Sequence, residues 1–150
     1  MALFLQRNNI KYLAISLFLG IGVSTQIIAE SEKKLPENIE GTHRISASEL
    51  IELVADKGSL ILIDSRIPGD RLKGYIETSI SLPDTDTDCQ SLSKVIPSKN
   101  QPVGFYCNGV RCGRSAVAIK IARSCGYQEL YWYRGGFEDW LKRSYPYAKD

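Results

Sequence analysis

The chain has 150 residues, with 43% hydrophobic and 24% charged side chains. That size and balance fit one globular domain and exclude a disordered chain. The formal charge is +2, from 19 basic and 17 acidic residues, and no basic run stands out. A nucleic-acid partner therefore has no electrostatic support.

Residues 1–29 carry Arg7 and Lys11 and no acid. Those cations precede the apolar stretch "YLAISLFLGIGVSTQIIA". Positive charge ahead of a short apolar run is the pattern of an export signal. Residues 1–29 are thus predicted to be a signal peptide or a membrane anchor, with the following domain exported. Membrane contact is expected only if the segment stays uncleaved. Residues 30–42, "ESEKKLPENIEGT", are charged and hold a proline and a glycine, so they read as a solvated linker. The domain is expected over 43–150.

Within it, "ISASELIELVADKG" predicts a helix. Ser46 and Glu49 form a capping-box pair, Leu50, Leu53 and Val54 share a face, and Gly58 suits the C-terminal cap. "SLILID" follows as an apolar run ending in Asp64, the pattern of a strand buried on both faces. "SISLPD" predicts a short strand stopped by Pro83. "QPVGFYC" predicts another, ending at Cys107. "RSAVAIKIARSCG" predicts a helix with Ala116 and Ile119 on one face, closed by Gly126. "ELYWYRGG" predicts a strand entering a glycine turn, and "FEDWLKR" a last helix. Alternating strands and helices predict an α/β fold with a mainly parallel central sheet flanked by helices. Ligands of such sheets bind outside the carboxyl ends of the strands. Asp64 and Cys107 both stand at such ends.

Four cysteines need an account. Zinc is not expected: Cys107 and Cys112 have Cys-x4-Cys spacing, and the one histidine, His43, is distant in sequence. Disulfides are allowed in an exported domain, but spacing does not supply their connectivity. Cys125 reads as a core residue, and Cys89, in "DTDTDCQS", as exposed. The loop Cys107-Asn108-Gly109-Val110-Arg111-Cys112-Gly113-Arg114-Ser115 reads as an anion cradle. It runs from a strand end into a helix start, where free amides and the helix dipole favour negative charge. Gly109 and Gly113 allow the backbone to curl, and Arg111 and Arg114 add cations. A thiol at the centre of such a loop should ionise readily. Cys107 is the expected nucleophile and carrier, with Cys112 as a companion on the rim.

With these residues in place, the chain resembles a single-domain rhodanese-like protein of the exported bacterial type over about residues 43–150. The likeness rests on four motifs in order. They are Asp64-Ser65-Arg66; Gly74-Tyr75-Ile76 running to "TSISLP"; Cys107 to Arg114-Ser115 before a helix; and Gly135-Gly136, Trp140 and Pro146. The resemblance implies sulfur transfer from thiosulfate or a similar donor to a thiol acceptor through a Cys107 persulfide. No metal or cofactor is implied, and the location would be the periplasm. Residues 108–114 would bind substrate, with Asp64, Arg66 and Ser115 organising the site. Arg71 reads as a surface residue. Trp132, Tyr133 and Trp140 read as core or pocket wall. The loop departs from the family's Cys-x-x-Gly-x-Arg-Ser by two extra residues, which makes a wider cradle. Its Cys-x6-Arg count also differs from the Cys-x5-Arg of phosphatases. Two other classes compete: a thiol redox protein cycling Cys107 and Cys112, and a non-catalytic binding module.

Overall fold

The computed structural model describes residues 35–57 and 60–149. The export segment expected over 1–29 and the Gly58 cap lie outside these residues. Five strands form one sheet: β1 (His43–Arg44), β2 (Ile61–Asp64), β3 (Ile80–Ser81), β4 (Val103–Tyr106) and β5 (Leu130–Tyr133). Their order is β1-β5-β4-β2-β3, and every pairing is parallel. Helices α1 (Ala47–Lys57), α2 (Pro68–Arg71), α3 (Cys89–Val95), α4 (Arg114–Ser124) and α5 (Gly136–Lys142) complete the α/β architecture.

The two-residue alternation of strands divides the core. Val103, Phe105, Leu130, Trp132 and Ile63 join Leu92 of α3 and Ala116, Ala118, Ile119 and Ala122 of α4. Leu62, Tyr106, Tyr131 and Tyr133 point the other way, to Leu50 of α1 and to Phe137 and Trp140 of α5. Both sheet faces are therefore covered, which is why the central strands read as continuous apolar runs. The capping box forms as expected. The Ser46 amide donates to Glu49 Oε2 at 2.7 Å, and the Glu49 amide donates to Ser46 Oγ at 3.3 Å. Val54, expected on the buried face, is 42% exposed, because it borders an open cleft with Leu50, Leu62 and Trp140.

Two segments differ from expectation. The described part of the linker, from Leu35 to Thr42, is packed onto the domain. Ile39 is buried in the α3/α4 core, and Glu37 pairs with both Arg44 and Arg134. The polar stretch around Cys89 is the start of α3. Asp88 caps it, accepting from the Ser91 amide at 2.7 Å and donating its own amide to Ser91 Oγ at 2.8 Å. Cys89 is exposed, and it forms a disulfide with Cys125 at the C-cap of α4. Cys125 thus packs against the core as a bonded half-cystine, a pairing that spacing left open.

Candidate active site

A parallel sheet delivers the ends of neighbouring strands to one edge. Asp64 stands in register with Tyr106, so Cys107 emerges one residue beyond the same edge. Asp64 is fully buried. It accepts from Arg66 Nε at 2.9 Å and Nη2 at 2.6 Å, from Arg71 Nη1 at 3.0 Å and from the Tyr106 hydroxyl at 2.8 Å. Burial and the Asp64 charge hold that phenol protonated, as its donor role requires. Arg66 also donates to the Gly74 carbonyl and lies over the Phe137 ring. Arg71, expected at the surface, is instead a second cation on Asp64. Its guanidinium also reaches Ser79 and stacks on Tyr75, 3.6 Å from the ring centre. This network fixes the segment from α2 to β3. It reaches the cysteine loop through Asp70, whose Oδ2 accepts from Asn108 Nδ2 at 2.8 Å. That hydrogen bond, with Lys73 and Arg114 nearby, keeps the Asp70 carboxyl below its ordinary pKa.

Helix α5 clamps the other side of the loop. The Phe137 amide donates to the Cys107 carbonyl at 2.9 Å, and the Glu138 amide to the Asn108 carbonyl at 2.7 Å. Gly136 makes this approach possible. Its φ is +62°, and a Cβ there would collide with the Cys107 carbonyl oxygen. The Cys112 amide donates to the Gly109 carbonyl at 2.9 Å and closes the curl.

Both loop thiols are free, Cys107 buried and Cys112 half-buried. Cys107 Sγ accepts from Ser115 Oγ at 3.2 Å and directs its own proton to the Cys112 carbonyl at 3.1 Å. Pairing with the neighbouring Cys107 sulfur, and after that the backbone at Arg114 and Asn108, pulls the Cys112 thiol down to about 6. Cys107 is pushed up by its hydrogen bond to Cys112, by burial and by the Cys112 charge, against the pull of Ser115. Cys112 is thus pulled down and Cys107 pushed up, where the sequence led to the expectation of a readily ionised Cys107. Burial and a neighbouring thiolate outweigh the helix dipole at Cys107.

A cleft of about 520 Å³ opens above the loop, lined by Asp84, Asn108, Arg111, Cys112, Gly113, Arg114 and Glu138. Arg111 is exposed at the mouth. Arg114 lies 3.6 Å from Asp84, 3.9 Å from Asp70 and 4.0 Å from Cys112 Sγ. Gly109 is buried against the Glu138 carboxylate. Val110, expected among the substrate contacts, faces a separate cleft beside Arg44 and Tyr133 and so does not line this mouth. The structure thus brings together Cys107, Asn108, Arg111, Cys112, Gly113, Arg114 and Ser115. Asp64 and Arg66 stand behind them as framework. Sequence reasoning missed the acids Asp70, Asp84 and Glu138. Each lies in a polar stretch that carries no spacing signal, and only the fold gathers them.

The family model described as "Rhodanese-like domain" matches residues 46–143. An uncharacterized protein of Buchnera aphidicola subsp. Baizongia pistaciae is 31% identical over 108 residues, covering 70% of this chain and 71% of its own. A solved rhodanese with anions from E. coli is 26% identical at a TM-score of 0.51, spanning 61% of this chain and 99% of that one. A rhodanese-related protein from Thermoplasma volcanium shares the fold at a TM-score of 0.56 and 23% identity, covering 72% of this chain and 99% of its own.

Proposed function

The chain belongs to the rhodanese-like domain family, and from that premise we propose that it is a sulfurtransferase carrying sulfane sulfur on Cys107. One observation carries the reading. A free cysteine follows the central strand at the floor of a loop, where the Ser115 hydroxyl and the Cys112 carbonyl meet its sulfur and a second free cysteine lies beside it. In the first half-reaction Cys107 Sγ bonds to the outer sulfur of thiosulfate or a similar donor. The donor's S–S bond breaks, and its electron pair leaves with sulfite. The Cys107 proton passes to the Cys112 thiolate, so the attacking sulfur is anionic as the bond forms. A thiolate acceptor then attacks the outer sulfur of the Cys107 persulfide and takes it, which returns Cys107 as thiolate. Covalent catalysis of this kind divides one transfer into two steps. Ser115 donates to the reacting sulfur throughout, and Arg111 and Arg114 at the mouth favour an anionic donor.

The proposal includes export to the periplasm. The N-terminal charge pattern supports it, and so does the Cys89–Cys125 disulfide, since structural disulfides persist in oxidising compartments. The test is incubation with thiosulfate and cyanide, reading thiocyanate, with intact mass before and after. Wild type and Cys112→Ser should each take up one sulfur, and Cys107→Ser none. Sulfur uptake and turnover by Cys107→Ser would overturn the assignment.

A second reading has its own support, because two interacting free thiols also describe a dithiol redox centre. Insulin reduction without thiocyanate formation would favour it. A purely non-catalytic module is the weakest of the three readings, since the nucleophile is present.

A further inference from the structure

We infer that Trp132 is a positioning residue for the Cys107 sulfur, acting through Ser115. The inference deepens the sulfur-transfer reading and rests on it only for its consequence in turnover. Trp132 lies on β5 with its ring on the α4 side of the sheet, the side that also holds Phe105, its register partner. This brings the indole beneath the first turn of α4. Trp132 Nε1 is 2.9 Å from Ser115 Oγ, and Ser115 Oγ is 3.2 Å from Cys107 Sγ. All three residues are at most 2% exposed, so water does not substitute for any of these contacts.

The direction of each bond follows from chemistry. An indole N–H donates and has no lone pair to accept with, so Ser115 Oγ must accept from Trp132. Among the described residues, the hydroxyl's other partner is Cys107 Sγ. Its single proton therefore points at that sulfur. The Cys107 proton in turn points at the Cys112 carbonyl. The result is a directed chain, Trp132 to Ser115 to Cys107 to the Cys112 carbonyl. Each donor in such a chain polarises the next. When Cys107 becomes a thiolate or a persulfide, the Ser115 bond becomes charge-assisted and strengthens. Ser115 is aimed before reaction begins, at no cost of reorientation. Without the indole N–H the hydroxyl is free to turn and accept from the Cys107 thiol, which favours the neutral sulfur.

Trp132→Phe keeps an aromatic ring in the core and deletes the N–H. The experiment alkylates the full chain with iodoacetamide across pH, without reductant, and quantifies each site after tryptic digestion. Cleavage after Arg111 separates the Cys107 and Cys112 peptides. Trp132→Phe should raise the Cys107 profile by about one pH unit, a tenfold loss of thiolate at fixed pH. Ser115→Ala should raise it further, and adding Trp132→Phe to Ser115→Ala should change nothing more, because the indole acts through the hydroxyl. Equal, additive shifts in the two backgrounds, or an unmoved profile in a folded Trp132→Phe protein, would overturn the inference.

A second measurement needs no variant. The chain has two tryptophans, and Trp140 Nε1 donates to the Pro146 carbonyl, remote from the thiols. The indole ¹⁵N–H resonance of Trp132 should titrate together with Cys107 while that of Trp140 stays still. A Trp132 signal that is flat through the Cys107 titration would refute the chain of bonds. Neither readout involves sulfur transfer. Absent thiocyanate in wild type would sink the proposed reaction and leave this test standing.

Discussion

Replacing the members of the Asp64 cluster one at a time should rank their roles by stability. Asp64 is 0% exposed and Arg66 1%. The carboxylate also accepts from the Arg66 amide at 3.1 Å, beyond the side-chain donors of Arg66, Arg71 and Tyr106. Asp64→Ala leaves two guanidinium groups facing each other and a buried phenol without its acceptor. Removing one partner of a buried pair costs about 3–5 kcal/mol, and this change should reach the upper end. Arg66→Ala leaves Asp64 with Arg71 and Tyr106, so its cost should fall near about 3 kcal/mol. Arg71 is 14% exposed. Its loss leaves the two-pronged Arg66 contact intact and should cost about 1–2 kcal/mol.

A domain of this size holds about 5–15 kcal/mol in total, so Asp64→Ala should be close to unfolding. At about 4 °C per kcal/mol, Arg66→Ala should melt roughly 12 °C below wild type, and Arg71→Ala about a third to two-thirds as far below. The assay is thermal unfolding by circular dichroism, paired with sulfur uptake measured well below each midpoint. Arg66→Ala should still take up sulfur when folded, because its guanidinium contacts Asp64, Asp70 and Gly74, not either thiol. A melting point within about 2 °C of wild type together with abolished uptake would refute a framework role and place Arg66 on the substrate. An Arg71 variant less stable than the Asp64 variant would break the electrostatic ranking itself.

Cys112 should react with iodoacetamide half-maximally near pH 6, because a lowered pKa keeps thiolate present down to that pH; preferential labelling of Cys107 at pH 7 would contradict this. Reducing Cys89–Cys125, which spans a sequence separation of 36, should cost about 4 kcal/mol by loop entropy, and an unmoved urea midpoint would show that the crosslink constrains little. Thr78 is a β-branched residue at φ 68°, so Thr78→Gly should gain about 0.5–1 kcal/mol in chemical denaturation, and a loss would mean that its side chain contributes more than the backbone strain costs.

The parallel sheet was legible because "SLILID" and "QPVGFYC" are apolar without alternation, and that pattern reports cover on both faces. The α1 cap was legible because Ser46 and Glu49 interact within one turn. What failed to show was whatever depends on distance. Strand β1 has two residues, too few to carry a period. Helix α3 buries one side chain, Leu92, so no apolar stripe announces it. The Cys89–Cys125 pairing joins residues brought together only by the crossovers, and the second cation on Asp64 depends on how the short helix α2 folds back after β2.

The order of thiol ionisation belongs to the same class. Sequence places both cysteines near a helix start and makes each acidic by the same argument. Which sulfur is pulled down depends on how the two lie against each other, with the Cys107 sulfur first and then the backbone at Arg114 and Asn108 favouring charge on Cys112. Cys107 need not be the more acidic group to be the nucleophile. It sits at the floor, its proton is already directed toward Cys112, and one negative charge serves the pair. A donor that bonds to Cys107 removes a lone pair from that sulfur, which makes its proton easier to release to the neighbouring thiolate. The second sulfur lies in the same loop, five residues on from Cys107. In the proposed reaction Cys112, whose pKa is lowered, takes up the proton that Cys107 releases.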